Sequence, residues 1–348
     1  DESLFFVLYK DNKILNFFNY SHILTMEMDL VIDGNYILNR NVFSLVKDRL
    51  LYSNLYDSFS ITTNSYVSWY PFDNVYFISD ADNNWRKKYY PEYKGTRKKS
   101  TEIDWAFAYQ MYRDYKTNLP PRIKLLEQNW VEGDDWFHYI SKRNNAMGRS
   151  TMMVSNDGDL KQLLITGKNF INMMANENTA HNVFLPDNYK TWLANYYNNI
   201  PLPTIFDDIS NESLEFVNFF KQFISNREIL TYKHDQVIFE KIISGDRGDN
   251  VKTVWSKTMS NGKERGIGDA GANKIYNQYI EYFGEPDFSK ECFNRLCDLI
   301  IESKKLDSGE YDKIMENIKK NNNLVNLDRI PSKIKQRMAE AYERVNEG

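Results

Sequence analysis

Four short apolar runs constrain this chain more than any other feature, because three of them finish within two residues of an aspartate. MDLVID (28–33), DNVYFIS (73–79), RIKLLEQ (122–128) and STMMVS (150–155) have the length and partly β-branched character of buried strands. Between them lie helix-length stretches at 37–52, 101–116 and 133–146. This alternation predicts an α/β fold, a parallel sheet with helices on both faces. MEMDLVIDG reads as a natural start at Met26, so residues 1–25 are expected to be an N-terminal extension.

The acids sit at particular places in that scheme. Asp33, Asp80 and Asp157 fall at the C-terminal ends of expected strands, which share one edge of an open parallel sheet, the edge where ligands bind. Glu132, Asp134 and Asp135 open the helix after the third strand on the same edge, and Asp159 follows two residues after Asp157. Each has a bland reading. Acids in a first helical turn stabilise the helix by ~0.3–1 kcal/mol each, and DGD is ordinary turn chemistry. Their convergence is harder to explain, since clustered carboxylates repel unless protons or cations neutralise them.

Beyond residue 165 the pattern loosens. Residues 169–212 are rich in Asn, carry PLP at 201–203, and read as an irregular insertion; a helical stretch follows at 213–226. EKIISGDRGDNV (240–251) then places Asp246 and Asp249 three apart beside Gly245 and Gly248. A glycine-rich turn leads into a helix in ERGIGDAGANKIYNQYIEYFG (264–284), and 291–346 reads as short charged helices broken at Pro331.

The net charge of −4 hides an uneven distribution: WRKKYYPEYKGTRKK (85–99) carries seven Lys/Arg against one Glu. Such a run is often a solvated helix face, but here it directly follows Asp80, and its tyrosines could stack on bases while its cations neutralise phosphates. No apolar run reaches the ~18 residues of a membrane span. An acidic N-terminus without a signal pattern leads us to expect a cytoplasmic protein. Cys292 and Cys297, five apart and without a nearby His, are expected to be buried free thiols.

All-carboxylate sites select Mg²⁺ or Mn²⁺ over zinc, and none of the four histidines repeats at ligand spacing. More acids than one ion can use suggests two ions clamping a phosphoryl group for attack by water. At GIG (266–268) a turn without side chains lets backbone N–H groups approach a phosphate.

Taken in order, these residues resemble the 5′-nuclease (flap endonuclease) family: an Asp after the first strand, an Asp followed by PEYKGTR, then EGDD, DGDLKQL, GDRGDN and GIG. WRKKYY, STEIDW, EYDKIMEN and NLDRIP bring the chain closest to the bacteriophage RNase H branch, over residues 28–345. The resemblance implies a PIN-like nuclease domain at 26–235 with a helical arch at about 83–120. A helix–three-turn–helix and helical region would follow at 236–348. It places Asp33, Asp80, Asp134 and Asp157 around a first Mg²⁺ and gives Asp159, Asp246 and Asp249 to a second, with Glu132 and Asp135 supporting and Mn²⁺ able to substitute.

Lys94 and Arg97 would contact the scissile phosphate with Tyr93 stacked beside it, and Arg86, Lys87 and Lys98 would join the nucleic-acid surface. Gly266, Gly268 and Lys274 would hold duplex backbone, with K⁺ on the loop carbonyls. The implied substrates are branched or nicked DNA and RNA–DNA duplex with a 5′ end. A monomer working beside a phage single-strand-binding protein and sliding clamp would remove RNA primers and 5′ flaps. The sequence departs from the family in a long interval between Asp159 and Asp246, an insertion at 251–263, and residues 1–25. Two rivals remain at this point. A catalytically idle DNA-junction module is opposed by the intact acids, and a small-molecule phosphatase by the basic segment.

Overall fold

The computed structural model describes residues 9–10, 13–14, 26–47, 54–97, 100–176, 182–198 and 215–347. Of the expected N-terminal extension it describes only β1 (Tyr9–Lys10) and β2 (Lys13–Ile14), an antiparallel pair. Lys98, expected at the nucleic-acid surface, and residues 199–212 of the expected insertion lie outside the described residues.

The four expected strands form, as β3 (Met28–Asp33), β4 (Val75–Ile78), β5 (Ile123–Leu126) and β6 (Ser150–Val154), all paired parallel. Three further strands extend the sheet: β7 (Asn172–Asn176), β8 (Asn182–Pro186) and β9 (Glu228–Tyr232). The seven-stranded order is β5-β4-β3-β6-β7-β8-β9, antiparallel only between β7 and β8. The stretch expected to be an irregular insertion therefore continues the sheet. Its asparagines lie at strand ends, while Met173, Met174 and Ala175 between them are buried.

Both faces of the sheet are covered, which is why its strands read as unbroken apolar runs. Leu30, Ile32, Met152 and Val154 point to one face, packed by α1 (Gly34–Lys47), α2 (Leu55–Val67), α4 (Trp105–Thr117), α6 (Tyr189–Asn198) and α7 (Glu215–Ser225). Val31 and Met153 point to the other, packed by α5 (Gly133–Ala146) and, from the far end of the chain, α12 (Ser332–Glu347). Tyr76 on β4 and Tyr342 on α12 share a 2.7 Å hydrogen bond that ties this last helix to the sheet.

Helix α4 starts at Trp105 rather than 101, because the Asp104 side chain caps it by accepting from the Phe107 N–H at 3.1 Å. Of the span expected to arch, α4 packs on the sheet through Ala108, Tyr112 and Tyr115. Among its described residues, Lys94 and Arg97, in the turns after α3 (Trp85–Tyr89), line the cavity at the strand ends.

A separate core holds α8 (His234–Ser244), α9 (Asp269–Phe283), α10 (Lys290–Lys304) and α11 (Tyr311–Val325), with Phe239, Leu296, Ile300 and Ile314 at its centre. Cys292 and Cys297 are buried free thiols within it. The 251–263 insertion carries β10 (Ser256–Thr258), which pairs antiparallel with β11 (Glu264–Gly266) just beyond it.

Candidate active site

The sheet reverses its strand order at β3, with β4 and β5 to one side and β6 to the other. Strand ends beside such a reversal are splayed by the crossing helices and leave a crevice. Here the crevice is a cavity of about 580 Å³ lined by Asp33, Asp80, Glu132, Asp134 and Asp157, with Lys94 and Arg97 over them.

Each acid is positioned by its own element. Asp33 ends β3 and accepts from Ser155 Oγ at 2.7 Å and from the Tyr36 N–H at 3.0 Å. Asp80, after β4, accepts from the Gly133 N–H at 2.6 Å and from Asn35 Nδ2. Asp157, after β6, caps the short 3₁₀ turn Gly158–Leu163 by accepting from the Asp159 N–H at 2.9 Å. Asp134 and Asp135 ride the first turn of α5, whose N-cap is Glu132.

Asp134, Asp157 and Asp159 bring carboxylate oxygens within 4.8 Å of one another. Burial, reinforced by the neighbouring Asp157, raises the Asp134 carboxyl well above the carboxylate range. Burial likewise pushes Asp159 up to about 7 and Asp33 up to about 6, and raises Asp80. Three hard oxygen donors, Asp134 on α5 with Asp157 and Asp159 on one turn after β6, held close against their own repulsion, fit a hard divalent cation.

Four cations answer the acids. Arg86 is buried, and its Nη1 reaches Glu132 at 2.6 Å while Nη2 reaches Asp135 at 2.9 Å. Lys94 pairs with Glu132, and burial there is outweighed by Glu132 and Asp249, so its ammonium is held above its ordinary value. Arg97 pairs with Asp249, and Lys241 from α8 pairs with both Asp159 and Asp246.

These contacts correct several expectations. Arg86 has its guanidinium committed inside the protein and offers nothing to a phosphate. Asp135 is fully buried, bound by Arg86 and by Trp85 Nε1–H at 2.9 Å, so it holds Arg86 rather than an ion. Tyr93 is buried in the helical core with its hydroxyl donating to Asp249, and presents no face for stacking. Asp246 and Asp249 do not join the carboxylate cluster, because Lys241, Arg97 and Tyr93 hold their oxygens.

Lys87 and Lys274 are exposed, as are Gly266 and Gly268 on the rim of a second cavity of about 990 Å³ that also reaches Lys241 and Asp246. A Cβ on Gly266 would strike the Thr253 side chain, whereas one on Gly268, the N-cap of α9, would meet nothing. Packing thus requires the first glycine but not the second.

Sequence reasoning passed over Asn35, Ser155 and Lys241. Ser155 could have been suspected from its place between a strand and DGD, and Lys241 from lying one helical turn before the GD of SGDRGDN. Asn35 carries no such signal.

Residues 29–190 match the family model for the 5′-3′ exonuclease N-terminal resolvase-like domain. Among solved structures, the chain is similar to the bacteriophage T5 D15 protein co-crystallised with metal ions. Identity is 18%, 92% of this chain and 99% of that chain are covered, and the TM-score is 0.54. It is also similar to the T5 D15 flap endonuclease in a pseudo-enzyme–product complex with DNA and metal ions. There identity is 18%, coverage 92% and 98%, and the TM-score 0.55. At this identity the likeness establishes the fold, a PIN-like sheet flanked by helices. Residues 29–190 thus match a 5′-3′ exonuclease N-terminal domain, and the strand-end acids Asp33, Asp80 and Asp157 lie within the matched span.

Proposed function

We propose that this protein is a Mg²⁺-dependent, structure-specific 5′-nuclease that hydrolyses phosphodiesters at the 5′ ends of flap, nicked and RNA-primed duplexes. The observation that carries the reading is the carboxylate cluster at the strand-order reversal, with Lys94 poised above it. Five acids line the cavity and Asp159 joins two of them in the cluster, against Lys94 and Arg97 at the lining, an excess of negative charge that divalent ions would offset. Such ions supply an activated water and neutralise phosphoryl oxygens.

The chain's own residues do the rest. Ser155 and Tyr36 fix Asp33, Asn35 and Gly133 fix Asp80, and the fixed acids define where a cation can sit. Lys94, held between Glu132 and Asp249, is a preorganised positive charge for a phosphate. Arg97, about half exposed, can release Asp249 to contact one.

The T5 flap endonuclease complex with DNA and metal ions supports bringing the same substrate class here. We extend the reading to removal of RNA primers and 5′ flaps in phage DNA replication, by a cytoplasmic monomer of the RNase H branch. Duplex backbone would lie on the Gly266–Gly268 turn with K⁺, and a single-strand-binding protein and sliding clamp would be its partners. The nuclease unit is residues 26–235 and the duplex-holding helical unit begins at 236, with 327–347 returning to the first.

The test is cleavage of 5′-labelled flap, nicked and RNA-primed duplexes with and without Mg²⁺. Metal-dependent release of short 5′ products is expected, and failure to cut any of the three would sink the proposal.

A further inference from the structure

The basic segment 85–99 carries aromatics at Trp85, Tyr89, Tyr90 and Tyr93, and the structure separates their roles. Trp85 and Tyr93 are buried, and Tyr90 has the Lys320 ammonium 5.5 Å over its ring. Tyr89 alone among them is exposed, at 69%, and meets Trp85 edge-on at 6.0 Å between ring centroids. It stands over a groove of about 490 Å³ between α3 and α11, floored by Trp85, Leu324 and Pro331. Lys319, Lys320 and Arg329 line the rim against a single acid, Glu316.

This groove backs onto the carboxylate cavity. Arg86 Nε donates to the Leu324 carbonyl at 2.9 Å on the groove floor, while Nη1 of the same guanidinium reaches Glu132 in the cavity lining. Tyr89 is also only five residues ahead of Lys94.

We propose that the groove binds a single-stranded segment of the substrate, with a base stacked on Tyr89 and its flanking phosphates on Lys319, Lys320 and Arg329. An apolar floor with an open aromatic ring and a cationic rim suits a base and its backbone, whatever the sequence. A wholly acidic peptide would use the rim but leave the ring without a partner. The proposal rests on the nuclease reading above and adds a site to it.

The experiment compares two labelled flap substrates on one duplex, with a 5′ single strand of one nucleotide or of about ten, within the site size of single-strand grooves. Affinity is read by fluorescence anisotropy in EDTA, and cleavage separately in Mg²⁺. Wild type should bind the long flap about tenfold more tightly, Tyr89→Ala should lose most of that preference, and Tyr89→Phe should keep it. Lys319→Ala with Lys320→Ala should reduce the preference and flatten its salt dependence. Because these side chains are on the surface, all variants should cut the one-nucleotide flap like wild type.

An unchanged long-to-short ratio in the variants, with cleavage intact, overturns the groove and leaves the nuclease reading standing. Binding of a polyglutamate peptide at the groove, with no effect of the variants on the long flap, would assign it to a protein and overturn the proposal too. A wild type that cuts nothing removes both readings together.

Discussion

Replacing Arg86 with methionine removes the one cation that faces Asp135, and its cost can be worked from the contacts. The guanidinium sits 2.6 Å from Glu132, 2.9 Å from Asp135, 2.9 Å from the Leu324 carbonyl and 4.4 Å over the Trp85 ring. Methionine restores most of the volume but none of the hydrogen bonds. Glu132 keeps Lys94, so its charge stays compensated. Asp135 keeps the Trp85 indole N–H and the Glu132 backbone N–H but has no positive partner left, and it is fully buried.

Removing one partner of a buried ion pair costs ~3–5 kcal/mol. With one of two acids orphaned, we expect about 4 kcal/mol, the middle of that range rather than twice it. At about 2 °C per kcal/mol, the low end for large domains, Tm should fall by about 8 °C. Adding Asp135→Asn removes the stranded charge and should recover about half of the loss. Arg86→Lys should not, since one ammonium cannot reach three acceptors set out for a fork. Denaturant unfolding of the four proteins measures the cycle. A loss under about 1 kcal/mol, or no recovery in the double variant, would refute the view that Arg86 holds this edge together.

Other outcomes follow from the same geometry. Asp134→Asn or Asp157→Asn should abolish cleavage while binding stays intact, and should cancel the Mg²⁺-induced rise in Tm expected of wild type, worth ~2.7 kcal/mol at a hundredfold excess over Kd. Lys94→Ala should lower the single-turnover rate by the ~3–4 kcal/mol typical of a preorganised charge and hardly change affinity, whereas Lys87→Ala should weaken binding and reduce the salt slope by ~1; equal binding losses at both would refute the distinction. Gly268→Val should fold normally, because a Cβ there meets nothing, yet bind duplex severalfold less well; unchanged duplex affinity would remove the turn as an anchor.

The last prediction concerns pH. His138 Nε2 lies 2.8 Å from Asp328, but burial outweighs that acid and lowers the imidazole pKa. Below about 6.5 the unfolded chain therefore takes up the proton first, and stability should fall with pH until the folded imidazole titrates. Asp328 is itself held low by His138 and Lys142, so its own contribution is lost only at more acid pH. His138→Asn should flatten the slope of stability just below about pH 6.5, and an unaltered slope in thermal melts would contradict this.

How much of this was legible depended on which contacts are local. MDLVID and STMMVS announced themselves because strands buried on both faces have no polar alternation to confuse them, and their bounds as strands agree with the runs to within a residue. The acids at their ends could be placed because a parallel sheet sends all those ends to one edge. β7 was missed because only three of its residues are apolar and asparagines flank them, a pattern that reads as loop until β6 and β8 are known to lie beside it. Arg86 was misread for a related reason. A cation in a basic run looks solvent-facing, and what buries it is an acid pair 46 and 49 residues away together with a carbonyl on α11. The same long-range pairing hides Lys241, whose partners include Asp159 from the sheet unit.

The return of α12 to the sheet sets the order in which the protein can be finished during synthesis. The last strand of the seven-stranded sheet, β9, ends at Tyr232, while the helix that covers Tyr76 and Leu126 begins only at Ser332. At roughly 5–20 residues per second, a ribosome needs about 5–20 s to make the hundred residues between them. Throughout that interval part of one sheet face is bare, and the carboxylate edge rests on an incomplete core. Competence to hold a metal should arrive abruptly, once residues 332–347 have emerged, instead of growing with the nuclease half of the chain.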